Sequence, residues 1–177
     1  MKALLCERYG SPETLVYTDI PMPDPTPTEV RLRIHACGVN FPDILMIRNQ
    51  YQFRPPLPFS PGGEIAGTVD AVGQEVTAFQ PGDRVVALTG WGGFAEYACV
   101  PVRRTVSLPA DTDFITGAAT LYNYGTSFHA LKDRAKLQPG ETLLVLGAGG
   151  GVGLAALELG AQMGVSVTAA ASAPATD

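Results

Sequence analysis

Between Glu29 and Ala36 the chain alternates strictly. Val30, Leu32, Ile34 and Ala36 fall on one face, and Glu29, Arg31, Arg33 and His35 on the other. That period of two predicts a half-buried antiparallel strand. Ahead of it, Pro21 to Pro27 reads as an extended edge or linker. Asn40 to Arg48 predicts a short helix, with Asn40 or Phe41 as cap and Pro42 in the first turn. Tyr51 to Pro61 is an irregular, proline-rich loop. Strands follow over Ile65 to Val72, Arg84 to Leu88 after the Pro81-Gly82-Asp83 turn, and Phe94 to Val100 after Gly90 to Gly93. Short strands at this spacing predict a barrel-like or sandwich-like β body.

The pattern changes near Asp111. Ile115 to Ala119 and Thr126 to Ala135 predict helices, the second with Phe128, Leu131 and Ala135 along one side. After the Pro139-Gly140 turn, Leu143 to Leu146 is a continuous apolar run, as expected of a strand covered on both faces in a parallel sheet. A glycine loop, Gly147 to Gly153, leads into a predicted helix over Val152 to Met163, with Leu154, Leu157 and Ala161 on one face. A second strand is predicted over Val165 to Ala169. Together these form one β-α-β unit.

Composition narrows the function classes. With 46% hydrophobic and 16% charged residues, the chain can fill a core and is not a disordered one. A net charge of −5 argues against a nucleic-acid partner. Three scattered cysteines, Cys6, Cys37 and Cys99, form no C-x-x-C pair and are expected as free thiols. No apolar stretch reaches membrane-spanning length, and the N-terminal apolar run is too short for a signal peptide. A soluble cytoplasmic protein is the expectation. Ten of the 15 prolines fall at or before Pro61, and glycines crowd the later loop.

The glycine loop carries the clearest chemistry. A strand that turns sharply into a helix can hold a dinucleotide's phosphates on the helix N-terminus. Glycine there permits the tight turn, close backbone approach to the pyrophosphate, and close helix–strand packing. Read as A-x-G-x-x-G, the loop supplies Ala148, Gly150 and Gly153; read as G-x-x-G-x-x-G, it supplies Gly147, Gly150 and Gly153. No Lys or Arg follows Lys136, which excludes a Walker-type phosphate loop. The candidate cofactor contacts are therefore Ala148, Gly149, Gly150, Gly151, Val152 and Gly153. The second strand ends in Ala169-Ala-Ala-Ser172, with no acid to read a ribose until Asp177. That tilts the expectation towards NADPH over NADH, with Ser172 as the nearest polar contact or an ordinary loop serine.

Several segments carry a resemblance. They are Gly38-Val-Asn-Phe-Pro-Asp43, Leu57-Pro-Phe-Ser-Pro-Gly-Gly-Glu64, Ala66 to Gly73, Pro81 to Val85, Gly93 to Tyr97, Tyr124-Gly-Thr126 with His129-Ala-Leu131, and Gly147 to Gly153. In this order they resemble the N-terminal part of the zinc-independent medium-chain dehydrogenase/reductases, the quinone oxidoreductase (zeta-crystallin-like) family. The resemblance implies an α+β fold. A GroES-like, barrel-like catalytic domain over residues 1–124 would be followed by the first β-α-β unit of a Rossmann domain over residues 125–177.

The resemblance also implies what the site lacks. The zinc-dependent members' Cys ligand falls on Asn40 and their His ligand on Gly63, and neither can ligate zinc. Ala87 to Gly93 holds no Cys for a structural zinc lobe. No metal site is expected. Carried over by resemblance, Asn40 lies near nicotinamide and substrate, Tyr51 faces the cleft, and Thr126 contacts the cofactor. Each has a structural alternative: helix cap for Asn40, packed aromatic for Tyr51, helix N-cap for Thr126.

The implied activity is NADPH-dependent hydride transfer to a quinone or conjugated enone. The alternatives are an enoyl-thioester reductase and a non-catalytic GroES-like binding module. A family member would be roughly twice as long and homodimeric, so this chain is expected to be its N-terminal part and inactive alone.

Overall fold

A computed structural model of the chain describes residues 1–172. The described chain is α+β and divides into two compact units, Met1–Ala119 and Thr120–Asp177.

In the first unit, β1 (Lys2–Leu5) pairs with β2 (Val16–Asp19) as an antiparallel ribbon. The main sheet is antiparallel and runs β6-β3-β4-β5-β7. Its strands are β3 (Glu29–Gly38), β4 (Glu64–Val72), β5 (Arg84–Leu88), β6 (Tyr97–Pro101) and β7 (Thr105–Ser107). Two short helices, α1 (Phe41–Ile47) and α2 (Phe114–Ala118), complete the unit. The core is the inward face of the sheet: Val30, Leu32, Ile65, Val69, Val85, Ala87, Ala98 and Val100. A second cluster, Cys6, Met46, Ile47 and Phe59, sits under α1.

The β3–β4 pair contains two bulges. Arg31 faces Ala71 while Leu32 faces Val69, so Asp70 is an extra residue on β4. Ile34 faces Gly67 while Ala36 faces Ala66, so His35 is an extra residue on β3. Past His35 the faces exchange. Cys37, opposite Ile65, packs on the core, whereas Ala36 and Gly38 share the other face with Ala66 and Glu64. The inward stripe is therefore Val30, Leu32, Ile34 and Cys37, not the Ala36 that unbroken alternation predicts. Asp70 binds the Arg31 guanidinium at 2.6 Å. His35 stacks on Phe114 of α2, with ring centroids 4.4 Å apart. Arg84 lies 4.4 Å from the Phe114 ring centre on a cation–π contact, and this sandwich docks α2 on the sheet.

Phe94 to Glu96 do not extend β6. Their backbone groups bridge β1 and β3: Leu4 N–H donates to the Phe94 carbonyl at 2.8 Å, Glu96 N–H to that of Lys2 at 3.0 Å, and Ile34 N–H to the Glu96 carbonyl at 2.9 Å.

In the second unit, α3 (Leu121–Phe128) continues as a π-helical turn over His129–Arg134. Ser127 and Leu131 are buried, whereas Phe128 and Ala135 are exposed. Strand β8 (Thr142–Leu146) pairs in parallel with β9 (Ser166–Ala170), joined by α4 (Gly151–Gln162). The buried face of α4 is Gly153, Ala155 and Gly160, while Leu154 and Ala161 are exposed. Small residues win this face because the helix sits so close to the strands. A Cβ on Gly160 would lie 2.9 Å from Leu143 Cδ2. On β8, Val145 is buried but Leu144 and Leu146 are 59% and 75% exposed. Among the described residues, no helix is long and apolar enough to cross a membrane.

Candidate functional site

Asn40 follows the end of β3 and caps α1 with extended backbone, φ −120° and ψ 158°. Phe41-Pro-Asp43 begins the helix, and Asp43 closes back on the cap. The Asn40 N–H donates to Asp43 Oδ2 at 2.8 Å, and Gly62 N–H donates to Asp43 Oδ1 at 3.0 Å. Asp43 is only 3% exposed. Burial lifts its carboxyl above the ordinary range, while the N–H groups of Asn40, Gly62 and Gly63 pull it back down. The Asn40 side chain is held separately, its Nδ2 donating to Glu64 Oε2 at 3.2 Å. Glu64 opens β4 and is fully buried. Asn40 is thus a helix cap and, half-buried, a fixed polar group.

Three glycines make room for this cluster. A Cβ on Gly38 would stand 2.4 Å from the Ala118 carbonyl and 3.2 Å from both Asn40 Nδ2 and Glu64 Oε2. Cβ atoms on Gly62 and Gly93 would each stand 2.8 Å from Cys37 Sγ. The Cys37 thiol is pushed up to about 12, first by burial, then by the nearby Asp43 charge. It stays protonated and unreactive at neutral pH.

Tyr51 lies at the start of the proline loop. It is half-buried against the Cys6–Met46–Ile47–Phe59 cluster and edge-on to Phe53, with centroids 5.8 Å apart. Phe41 and Phe53 are exposed, as is Val39.

The remaining predicted residues belong to the second unit. Thr126 is exposed and interior to α3, whose cap is Thr120, so it is not an N-cap. The glycine loop follows β8 directly. Gly147 has φ +70°, a conformation glycine adopts without strain. Gly150 caps α4, its N–H donating to the Gly147 carbonyl at 3.0 Å. Ala148 is buried, and its N–H donates to the Ala170 carbonyl at 3.1 Å, tying the loop to the end of β9. Gly153 is the close-packing glycine, since a Cβ there would stand 2.3 Å from the Gly147 oxygen. Gly149, Gly150, Gly151 and Val152 are exposed. Backbone N–H groups of a helix's first turn have no partner within the helix and face an anion readily.

The end of β9 lies beside this loop, because a Cβ on Gly149 would meet Ala171 at 4.0 Å. Ser172 is the next residue and is exposed. Asp177, the first acid after β9, lies outside the described residues. Helix α3 braces the loop through Ser127, whose hydroxyl donates to the Val152 carbonyl at 2.7 Å. Asn123 fills the space a Gly151 side chain would need, with Oδ1 2.7 Å from that position.

The alternation and loop patterns reach Asn40 and the glycines, but not Asp43 and Glu64 as its holders. The signal available was Asn-x-x-Asp at capping-box spacing, together with an acid in the first position of a core strand.

Comparisons with known proteins agree with this geometry. The model of the alcohol dehydrogenase GroES-like domain matches residues 26–110. Human quinone oxidoreductase is 40% identical over 169 residues, 94% of this chain and 51% of its own length. The structure of the quinone oxidoreductase from Thermus thermophilus, also solved in complex with NADPH, superposes with a TM-score of 0.87 at 39% identity. The match covers 98% of this chain and 54% of that one. An enoyl reductase structure superposes with a TM-score of 0.89 at 29% identity, over 97% of this chain and 54% of its own. The chain spans about half the length of the curated relatives it matches. With a GroES-like domain followed by a glycine loop at the head of a parallel β-α-β unit, the chain is similar to the N-terminal half of medium-chain dehydrogenase/reductases.

Proposed function

We propose that this chain contributes the GroES-like domain and the first cofactor-binding β-α-β unit of an NADPH-dependent oxidoreductase. The enzyme reduces quinones or conjugated enones without zinc. One observation carries the reading. The β8–α4 turn has the steric form a dinucleotide's pyrophosphate requires, with Gly153 against the Gly147 carbonyl and exposed backbone from Gly149 to Val152. The exposed backbone N–H groups of Gly149, Gly151 and Val152 would face the phosphates, Ala148, Gly150 and Gly153 would shape the turn that presents them, and Ser172 would meet the ribose phosphate. Thr126 would contact the nicotinamide end.

When bound, NADPH supplies the hydride; a solvent proton completes the two-electron reduction. Asn40 would position the acceptor and stabilise negative charge growing on its oxygen, and Tyr51 would offer it a phenol. Quinones and enones suit this site because their reduction needs little activation, and Asn40 and Gly63 leave no thiolate or imidazole for zinc. A cofactor and acceptor screen on the complete protein tests the proposal. It predicts NADPH-linked quinone reduction that metal chelators leave unchanged. Activity lost to a chelator and restored by zinc would sink it.

The likeness to an enoyl reductase favours a second reading, reduction of enoyl thioesters with Tyr51 assisting proton delivery. Turnover of an enoyl thioester faster than any quinone in the same screen would select it.

A further inference from the structure

Two buried carboxylates grip Asn40 at different points. Asp43 accepts from its backbone N–H, and Glu64 accepts from its side-chain Nδ2. The first bond belongs to the helix cap. The second has no part in capping, since Glu64 lies on a different element and 24 residues away in sequence. A carboxylate can only accept, whereas a carboxamide has one donating and one accepting end. As the acceptor at Oε2, Glu64 favours the amide orientation that turns Nδ2 towards it, beside the capping-box contact of the Asn40 side chain with the first turn of α1. With Nδ2 turned to Glu64, one N–H is engaged there and the second is left to another acceptor. Glu64 is itself fixed by full burial at the head of β4, opposite Gly38, whose missing side chain leaves space for both groups.

We infer that Glu64 is a positioning residue for Asn40, holding its carboxamide in the one orientation that presents an N–H to the reducible oxygen of the acceptor. The inference rests on the role proposed above for Asn40. A glutamine at position 64 has the same shape but can also donate. It would allow the Asn40 amide to turn over and set its oxygen against the developing negative charge. The defect then falls on the chemical step, because nothing about the cofactor site changes.

The test has two parts. In the wild-type chain, NMR of the Asn40 side-chain amide should show one Nδ2 proton protected from solvent exchange and its partner exchanging freely. Equal, fast exchange of both overturns the inference without any variant. In the complete enzyme, Glu64→Gln should lower kcat by roughly a hundredfold, on the scale of losing one oxyanion donor, with the KM for NADPH within about twofold of wild type. Asn40→Ala should show the same pattern. Full activity in E64Q alongside a crippled N40A refutes the positioning role of Glu64. An unimpaired N40A removes instead the proposed role of Asn40, and the inference with it.

Discussion

Replacing Asp43 with alanine removes the acceptor that joins the head of α1 to the segment before β4. The carboxylate receives the Asn40 N–H at 2.8 Å and the Gly62 N–H at 3.0 Å. Gly62 is buried, so its N–H cannot turn to water, and an unsatisfied buried donor costs about 1–3 kcal/mol. Asn40 is half-buried and can recover part of its bond from solvent, which puts its loss near the lower end, about 1 kcal/mol. Removing a carboxyl whose burial is itself unfavourable returns some of this. The net expectation is a destabilisation of roughly 2–3 kcal/mol.

Trp91 is the single tryptophan and lies within Met1–Ala119, so its fluorescence reports unfolding of that unit. With a urea slope of about 2 kcal/mol/M, the midpoint should fall by roughly 1 M. The pH dependence adds a signed check. Asp43's folded pKa is raised above its unfolded value, so the folded state holds the proton more tightly. Its stabilising contribution is full below the unfolded pKa and is lost as pH rises through the folded one. D43A should therefore remove a decline in stability with pH that begins in the ordinary carboxylate range. A midpoint unchanged within about 0.2 M, equivalent to less than about 0.5 kcal/mol, would show that water satisfies both N–H groups and the argument is wrong.

Gly153→Ala should lift α4 from its loop, because its Cβ would meet backbone 2.3 Å away that no rotamer change can move. In the complete protein, NADPH affinity should drop at least about tenfold in a fluorescence titration, outweighing alanine's helix preference of about 1 kcal/mol. Ser172→Asp should shift cofactor preference from NADPH towards NADH, since a carboxylate repels the extra phosphate and accepts from a ribose hydroxyl. The ratio of kcat/KM values for the two cofactors measures it, and an unchanged ratio would remove Ser172 from the cofactor contacts. The 177-residue chain by itself should bind NADPH weakly and show negligible reductase activity, because a dinucleotide cleft draws on more strands than β8 and β9. Tight binding in the same titration would contradict this.

Local grammar makes much of this legible. The Asn40 cap, the Pro42 turn, the β8–loop–α4 order and the Gly153 packing follow from short-range pattern. Contacts between distant residues do not. Nothing near Asn40 indicates that residue 64 will come to it, because that meeting depends on the β3–β4 register. Ala36 departs from its expected face for a related reason: a bulge adds a residue without interrupting alternation. Helix α3 begins at Leu121, ahead of the predicted Thr126, and Phe128 and Ala135, on either side of its π-helical turn, are exposed. On α4, leucines point to one packed face, but close approach to the sheet selects Gly153, Ala155 and Gly160.

The paired bulges have a consequence for how this chain tolerates changes in length. From Val30 to Gly38 and from Glu64 to Val72 the two strands run the same number of residues, because His35 on one is matched by Asp70 on the other. Each strand thus holds one residue in reserve. Deletion of His35 or of Asp70 itself can be absorbed by smoothing out its bulge, leaving every other partner opposite its present one. Gly38 would still face Glu64, and Asn40 would still emerge beside it. The loss would fall elsewhere: on the Phe114 stack if His35 goes, or on the Arg31 ion pair if Asp70 does.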